Sequence, residues 1–315
     1  GEERDRGGRE GATTVRARKL AVLLLGVGLA AGVLLVPLPG SWRGIWQARL
    51  LNLAHVPLFA ALTWFLWRLL GPGLTRPVLI AVALAGLTEL AQDWTGRSGG
   101  FADFLFGAAG AFAAAAGIRV RRARGLPARA GYLLLAAGLL AWPLAETAPY
   151  LVDAYEGSRA FPTLADFHTR RELLRWRCRQ AELRRVPAPG RPGAWSGRLD
   201  FFPGPHPYPY GALRPIVRDF RAHRWLCCSF AVEEGPLDLV ISLRSGPGEW
   251  GETCHYQRQQ RFGPGEHLVR FDLPAVAPKA DPRPLDLSDV WIIQFFLVRP
   301  QDPRTVYLHR VWLEE

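Results

Sequence analysis

Two hydrophobic rhythms divide the chain. From Leu20 to Ala145 apolar residues run almost unbroken, punctuated by arginines and Pro/Gly turns, whereas from about Phe161 apolar and polar residues alternate. Apolar runs of about 17–25 residues are long enough to cross a bilayer as helices, and period-two alternation marks strands with one buried face. The runs predict spans over about 20–38, 54–70, 77–91, 101–118 and 130–147, with Pro72, Gly73 and Pro77 marking one of the turns. The alternation predicts a strand over 224–232, where Leu226, Cys228, Phe230 and Val232 share a face. Further strands are predicted over 237–243, 268–273, 291–298 and 306–313, separated by Gly246-Pro247-Gly248, Gly263-Pro264-Gly265 and the proline-rich 278–284. The predicted architecture is an α-helical membrane bundle of about five transmembrane helices followed by an all-β sandwich. Its divisions are a polar, disordered tail at 1–18, the membrane part at 19–148, a linker at 149–161 and the sandwich at 162–315.

Charge changes that picture little. The formal charge of +11 on 315 residues invites a nucleic-acid reading. Much of the excess, however, is arginine flanking the apolar runs, so the expected partner is the lipid bilayer and not nucleic acid. Arg16, Arg18 and Lys19, the Arg68/Arg76 turn and the basic 119–129 stretch fall on one side of the predicted topology. The positive-inside rule makes that side cytoplasmic. An inside N-terminus with five spans also puts the sandwich outside, so both routes predict a multi-pass protein of the cytoplasmic membrane with its C-terminal domain outside. The apolar run after Lys19 is long for a signal core and lacks an A-x-A site, so cleavage is not expected.

Candidate chemistry in the membrane half is confined to one neighbourhood. Between Leu20 and Ala145 the carboxylates are Glu89, Asp93 and Asp103, and the one histidine is His55. Ionisable groups in membrane helices are costly, which makes a cluster of them a functional hypothesis. His55 is expected to open the second span, and Glu89 and Gln92 to share a face at the end of the third. Arg97 falls in the following loop, where it is expected to neutralise Glu89 or Asp103, and Asp103 opens the fourth span. Such a set can be a structural ion-pair and capping cluster or a ligand site. It can also be catalytic, with His55 or Glu89 as general base, Arg97 as electrophilic clamp and Asp103 as orienter. The pattern Glu89-x-x-Gln92, Arg97, Asp103 and Gly110, preceded by His55, resembles the VanZ-like membrane family over about 18–145. The chain departs from that family at Asn52 and Gly107, where a lysine and an asparagine are frequent. The family takes its name from an accessory protein of glycopeptide resistance, so the resemblance implies a role in the cell envelope.

In the second half, Leu164-Ala165-Asp166-Phe167, Trp176, Arg218-Asp219-Phe220, Pro264-Gly265-Glu266-His267, Pro284-Leu285-Asp286-Leu287 and Val306-Tyr307-Leu308-His309 resemble a galactose-binding-like jelly roll, similar to carbohydrate-binding modules, over about 162–315. The resemblance implies an envelope glycan or lipid-linked precursor as partner. Where such modules often hold calcium, this chain has His168 and His309, and calcium prefers oxygen ligands, so no metal is expected there. Cys254-His255 beside Cys227 and Cys228 lacks zinc-ligand spacing, and no cofactor motif occurs. The stretch 201–210, stiffened by alternating prolines, offers Phe202, His206, Tyr208 and Tyr210 as glycan contacts, with Trp250, Tyr256 and Trp195 as further candidates. Rings covering a sandwich edge are the plainer alternative. The basic 170–185 stretch is either a solvated face or a surface for anionic headgroups. Cys178, Cys227, Cys228 and Cys254 allow three disulfide pairings or free thiols. The functional expectations are therefore a membrane-anchored glycan binder, an outer-leaflet enzyme, and an envelope scaffold.

Overall fold

A computed structural model describes residues 45–94, 100–246 and 254–315. The chain divides into one compact unit holding Gln47–Ala148 and a second holding Pro149–Glu315. The expected first span at 20–38 lies outside the described residues.

In the helical unit, α1 spans Ile45–Leu70, α2 Thr75–Trp94, α3 Phe101–Arg122, and α4 begins at Leu126 and runs to Ala160. Three of these are long and apolar enough to cross a membrane: α1 from Trp46, α3 and α4. The expected span over 77–91 falls in α2, which is not among them. In α2, Thr88, Glu89, Gln92 and Asp93 crowd the last two turns and shorten its apolar stretch. Helix α1 also starts nine residues earlier than expected, because Trp46 belongs to the helix and not to a loop before it.

Small residues hold α1, α2 and α3 together. A Cβ on Gly110 of α3 would lie 2.1 Å from the Val56 carbonyl oxygen of α1, and one on Gly107 2.9 Å from the Phe59 ring. Ala81 and Ala85 of α2 and Ala111 of α3 are fully buried in the same core. Close backbone approach of this kind is how helices associate where no hydrophobic force favours it. At one end of this unit, Arg122 donates to the Pro72 carbonyl at 2.6 Å and covers the Trp67 ring at 4.9 Å. The basic end of α3 thus meets the α1–α2 turn, which Arg68 and Arg76 flank.

The second unit is an antiparallel β-sandwich preceded by the last turns of α4. Residues 149–160 of the expected linker are helical. The strands are β1 Thr163–Ala165, β2 Trp176–Arg179, β3 Ala181–Pro187, β4 Trp195–Phe201, β5 Tyr210–Leu213, β6 Trp225–Val232, β7 Leu237–Ser245, β8 Cys254–Phe262, β9 Gly265–Asp272, β10 Val290–Phe296 and β11 Arg304–Glu314. A six-stranded sheet has the order β3-β4-β11-β6-β9, with β1 also on β11, and a five-stranded sheet the order β2-β5-β10-β7-β8. The chain changes sheet between β8 and β9 in two residues, and Gly265, at φ 114°, supplies the left-handed conformation this needs.

Alternation explains the core. Leu226, Cys228, Phe230 and Val232 of β6 point inward as predicted, against Leu239, Ile241 and Leu243 of β7. Phe167, Phe201, Phe220, Phe230, Phe271 and Phe295 are fully buried, each contributing about 1.5–3 kcal/mol by burial. All four cysteines are free thiols, and burial pushes Cys178 up to about 11. Much of the basic 170–185 stretch is structural. Arg175, itself buried, makes a bidentate pair with the buried Asp153 of α4 at 2.8 Å and donates to the Leu164 carbonyl. Arg171 pairs with Glu156 at 2.6 Å, and Arg185 donates to the Phe167 and His168 carbonyls.

Candidate functional site

Two places carry the candidate residues. In the helical unit, His55 lies well inside α1 rather than opening a helix, which corrects the sequence expectation. Its ring is 1% exposed, stacks near Phe59 and sits with Nδ1 3.1 Å from the Asn52 carbonyl. Its Nε2 lies 3.5 Å from Oε1 of Glu89. The other oxygen of Glu89 accepts the Gly100 backbone N–H at 2.9 Å. Gly100 is the N-cap of α3 and offers no side chain of its own, so a carboxylate from α2 takes one of the donors that a helix start leaves over. Asp103, in the first turn of α3, is 5% exposed. Helix packing therefore brings His55, Glu89 and Asp103 into one region. Arg97 and the side chain of Gln92 lie outside the described residues.

The second place is the outer face of the five-stranded sheet. Strand register sets two rows across it. One runs Arg177–Ala212–Gln294–Ser242–Gln257, the other Arg179–Tyr210–Phe296–Val240–Gln259. Ile292 and Arg244 begin a third. Tyr210, Ala212, Val240 and Phe296 form a small apolar cluster separate from the main core, and Ile292 packs against it. Over this floor lies a groove of about 540 Å³, lined by Tyr208, Val240, Arg244, Gln257, Gln259, Gln294, Phe296 and Val298. Arg244 and Gln294 also line an adjoining hollow with Arg177, Tyr210 and Arg214. The exposed Tyr208 stands edge-on to Phe296 at 6.0 Å, and His206 edge-on to Tyr208 at 6.1 Å. Beneath the groove, the fully buried Ser242 hydroxyl has no hydrogen-bond partner among the described residues. Burial lowers the pKa of Arg244. An apolar floor with amides above it matches a sugar ring, whose C–H face is apolar and whose rim is hydroxyl, because each amide both donates and accepts.

Of the predicted glycan contacts, Tyr208 lines the groove, Tyr210 lies in its floor, and His206 touches only Tyr208 there. Phe202 is exposed but lines neither hollow, and Trp250 lies outside the described residues. Tyr256 does not belong with them. Its register with Leu243 turns it to the inner side, where it packs edge-on to Phe271 at 6.2 Å. Arg177 belongs to the basic 170–185 stretch noted in the sequence, whereas Arg214, Arg244, Gln257, Gln259 and Gln294 escaped the sequence analysis. Two local signals point to some of them: the i, i+2 pair Gln257 and Gln259, and Gln294 as the lone polar residue within Val290–Phe296.

The positions expected to replace calcium ligands have other roles. His309 is buried at a bulge in β11, with Nδ1 2.7 Å from Ser196 Oγ and Nε2 3.1 Å from Glu266 Oε1. Burial lowers its pKa, and Arg191 adds to that while Glu266 opposes it. His168 gives its carbonyl to Arg185. The described residues hold no group of three or more His, Cys, Asp or Glu arranged for a metal ion.

No family model matches the chain, and no curated protein matches it. Among solved structures, it is similar to a family 11 carbohydrate-binding module from Clostridium thermocellum in complex with a β-1,3-1,4-mixed-linked tetrasaccharide, at 10% identity and TM-score 0.39, over 48% of this chain and 94% of that one. It is similar to an exo-β-agarase at 14% identity and TM-score 0.39, over 48% of this chain and 25% of that one. A family 30 carbohydrate-binding module of a C. thermocellum cellulosomal cellulase matches at 16% identity and TM-score 0.34, over 43% and 86%.

Proposed function

We propose that this chain is a bacterial multi-pass membrane protein, VanZ-like in its helical unit, that presents a carbohydrate-binding sandwich outside the cytoplasmic membrane for a task in the cell envelope. The groove on the five-stranded sheet carries the reading. Its apolar floor, the ring of Tyr208 and the amides of Gln257, Gln259 and Gln294 are the complement of a saccharide, and its volume lies within the ~300–1,000 Å³ range of ligand pockets. Three apolar helices supply the anchor, and the shared basic end of α3 and the α1–α2 turn supports a cytoplasmic assignment for that end.

The test is retention of purified envelope polysaccharide by full-length protein in detergent micelles. Wild type is expected to bind, and the double variant Tyr208→Ala/Gln259→Ala to lose most of the affinity while keeping its fold. Well-folded wild-type protein that retains no envelope polysaccharide would overturn the proposal.

The 3.5 Å approach of His55 to Glu89 favours a second reading, an outer-leaflet enzyme acting on a lipid-linked envelope precursor. There the His55–Glu89 pair would serve as general base, Arg97 as clamp and Asp103 as orienter. Mass-spectrometric profiles of envelope lipids decide it. A substrate–product pair that shifts between cells making wild type and cells making equal amounts of Asp103→Asn supports turnover, and an unchanged profile removes it.

A further inference from the structure

The sheet that floors the groove hides two polar side chains next to each other. Ser242 of β7 and Gln294 of β10 are directly opposed in the register, so both point to the groove side. Gln294 lines the groove and the adjoining hollow yet is only 3% exposed, and Ser242 is fully buried. Gln257 flanks Ser242 from the edge strand β8 and is exposed. The Ser242 hydroxyl has no hydrogen-bond partner among the described residues. Leaving a buried hydroxyl unpaired costs about 1–3 kcal/mol, and an alanine there would avoid it. The fold therefore gives no reason for Ser242. Its neighbours, however, are the groove's own lining: Val240 and Arg244 along the strand, Gln257 and Gln294 across it. One strand repeat away, Val240 and Phe296 face each other in the apolar floor.

We propose that Ser242 and Gln294 are the groove's specificity point and that its ligand is an N-acetylated saccharide. A sugar ring lies over Val240, Phe296 and Tyr208, and its acetamido group reaches the Ser242–Gln294 row about 7 Å further along the strands. The inference rests on the glycan-binding reading and names its substrate class. An acetamido group carries a carbonyl acceptor, an N–H donor and a methyl. The carbonyl takes the Ser242 O–H, the N–H gives to the Gln294 side-chain carbonyl, and the methyl stays on the apolar floor beside them. A ring hydroxyl at the same carbon is shorter, so it stays at the rim and leaves Ser242 unpaired. A site built around a buried hydrogen bond discriminates against the analogue that cannot make it. Access comes from Gln257, whose exposed side chain can turn aside, as surface rotamers do on picosecond-to-nanosecond timescales. All the groups used are neutral, so Arg177, Arg214 and Arg244 keep their own interactions within the protein.

The experiment uses full-length protein in micelles of a detergent without a sugar headgroup. The probes are chitohexaose and cellohexaose, which differ only in bearing an acetamido or a hydroxyl group at C2. By titration calorimetry, wild type is expected to bind chitohexaose about ten-fold or more tightly than cellohexaose. In Ser242→Ala that ratio is expected to fall to about one, with the thermal unfolding midpoint no lower than in wild type, because an unpaired hydroxyl is lost. Gln294→Met, close in size, is expected to reduce the ratio as well. If Ser242→Ala lowers the midpoint, the hydroxyl serves the fold and the proposal falls. If the ratio survives both substitutions, specificity lies elsewhere and the proposal falls. If cellohexaose binds wild type at least as tightly as chitohexaose, or if neither hexamer binds while envelope polysaccharide is retained, the acetamido inference falls and the glycan reading stands. If folded protein binds neither hexamer nor envelope polysaccharide, both fall.

Discussion

The two sheets of the sandwich share a core and differ on their outer faces. On the six-stranded sheet, polar side chains close on one another. Ser196 meets His309, His309 meets Glu266, and Glu266 takes Arg191. Asp200 takes both Arg198 and Thr305, and Tyr307 donates to Glu233. On the five-stranded sheet, a hollow opens over an apolar floor, and its lining of described residues holds arginines and glutamines but no acid. Networks that satisfy themselves rigidify a fold, and a preformed hollow with convergent polar groups receives something. The difference teaches that on one fold the candidate working face is distinguished by the hollow it holds open over an apolar floor, more than by how many polar groups it carries.

Breaking a self-satisfied contact should cost stability and spare binding. The largest effect belongs to the buried Asp153–Arg175 pair. Asp153→Ala is expected to destabilise a 149–315 fragment by about 3–5 kcal/mol in chemical denaturation, because Arg175 stays buried without its counter-ion. Ser196→Ala leaves His309 Nδ1 without its partner and should cost about 1–3 kcal/mol, with polysaccharide affinity unchanged. A loss of binding in that variant would erase the contrast between the faces.

The groove should behave in the opposite way. Tyr208→Ala is expected to cost about 0.5–1.5 kcal/mol of saccharide affinity by titration calorimetry, while stability stays within about 0.5 kcal/mol. The smallest effect is in pH. The folded pKa of His309 lies below its unfolded value of 6.5, so the folded state binds fewer protons. Its contribution to stability is present above pH 6.5 and is lost as pH falls through the depressed value. His309→Gln should therefore flatten the stability profile below pH 6.5, while variants of groove residues leave it as it is.

Strands with clean alternation were legible in the sequence. β6, β7, β9, β10 and β11 stand close to their predicted positions, because each sends apolar side chains at alternate positions into the core. β2, β3 and β8 were hidden. Trp176–Arg179, Ala181–Pro187 and Cys254–Phe262 are so rich in Arg and Gln that the period-two signal drowns in polarity. Arg177 of β2 and Gln257 and Gln259 of β8 line the hollows of the five-stranded sheet, so part of the groove lay in strands that the alternation did not reveal. A row such as Arg177–Ala212–Gln294–Ser242–Gln257 draws on four connections far apart in the chain, and only register assembles it. In the helical unit, clustering of rare ionisable residues did bring His55, Glu89 and Asp103 to notice, since the cost of burying charge confines them to few places. His55 lies inside α1 and not at its start because the helix continues upstream to Ile45, beyond the predicted span.

Glu89 deserves to be seen as a clasp. One oxygen faces His55 of α1 and the other accepts the backbone N–H of Gly100, the N-cap of α3, so a single carboxylate joins all three packed helices. Truncating it would let the start of α3 drift and would silence any function that depends on that end, whether or not a proton ever moves there. Glu89→Gln keeps an oxygen to receive Gly100 while removing the charge that His55 feels. Comparing it with Glu89→Ala therefore separates the fastening from the chemistry.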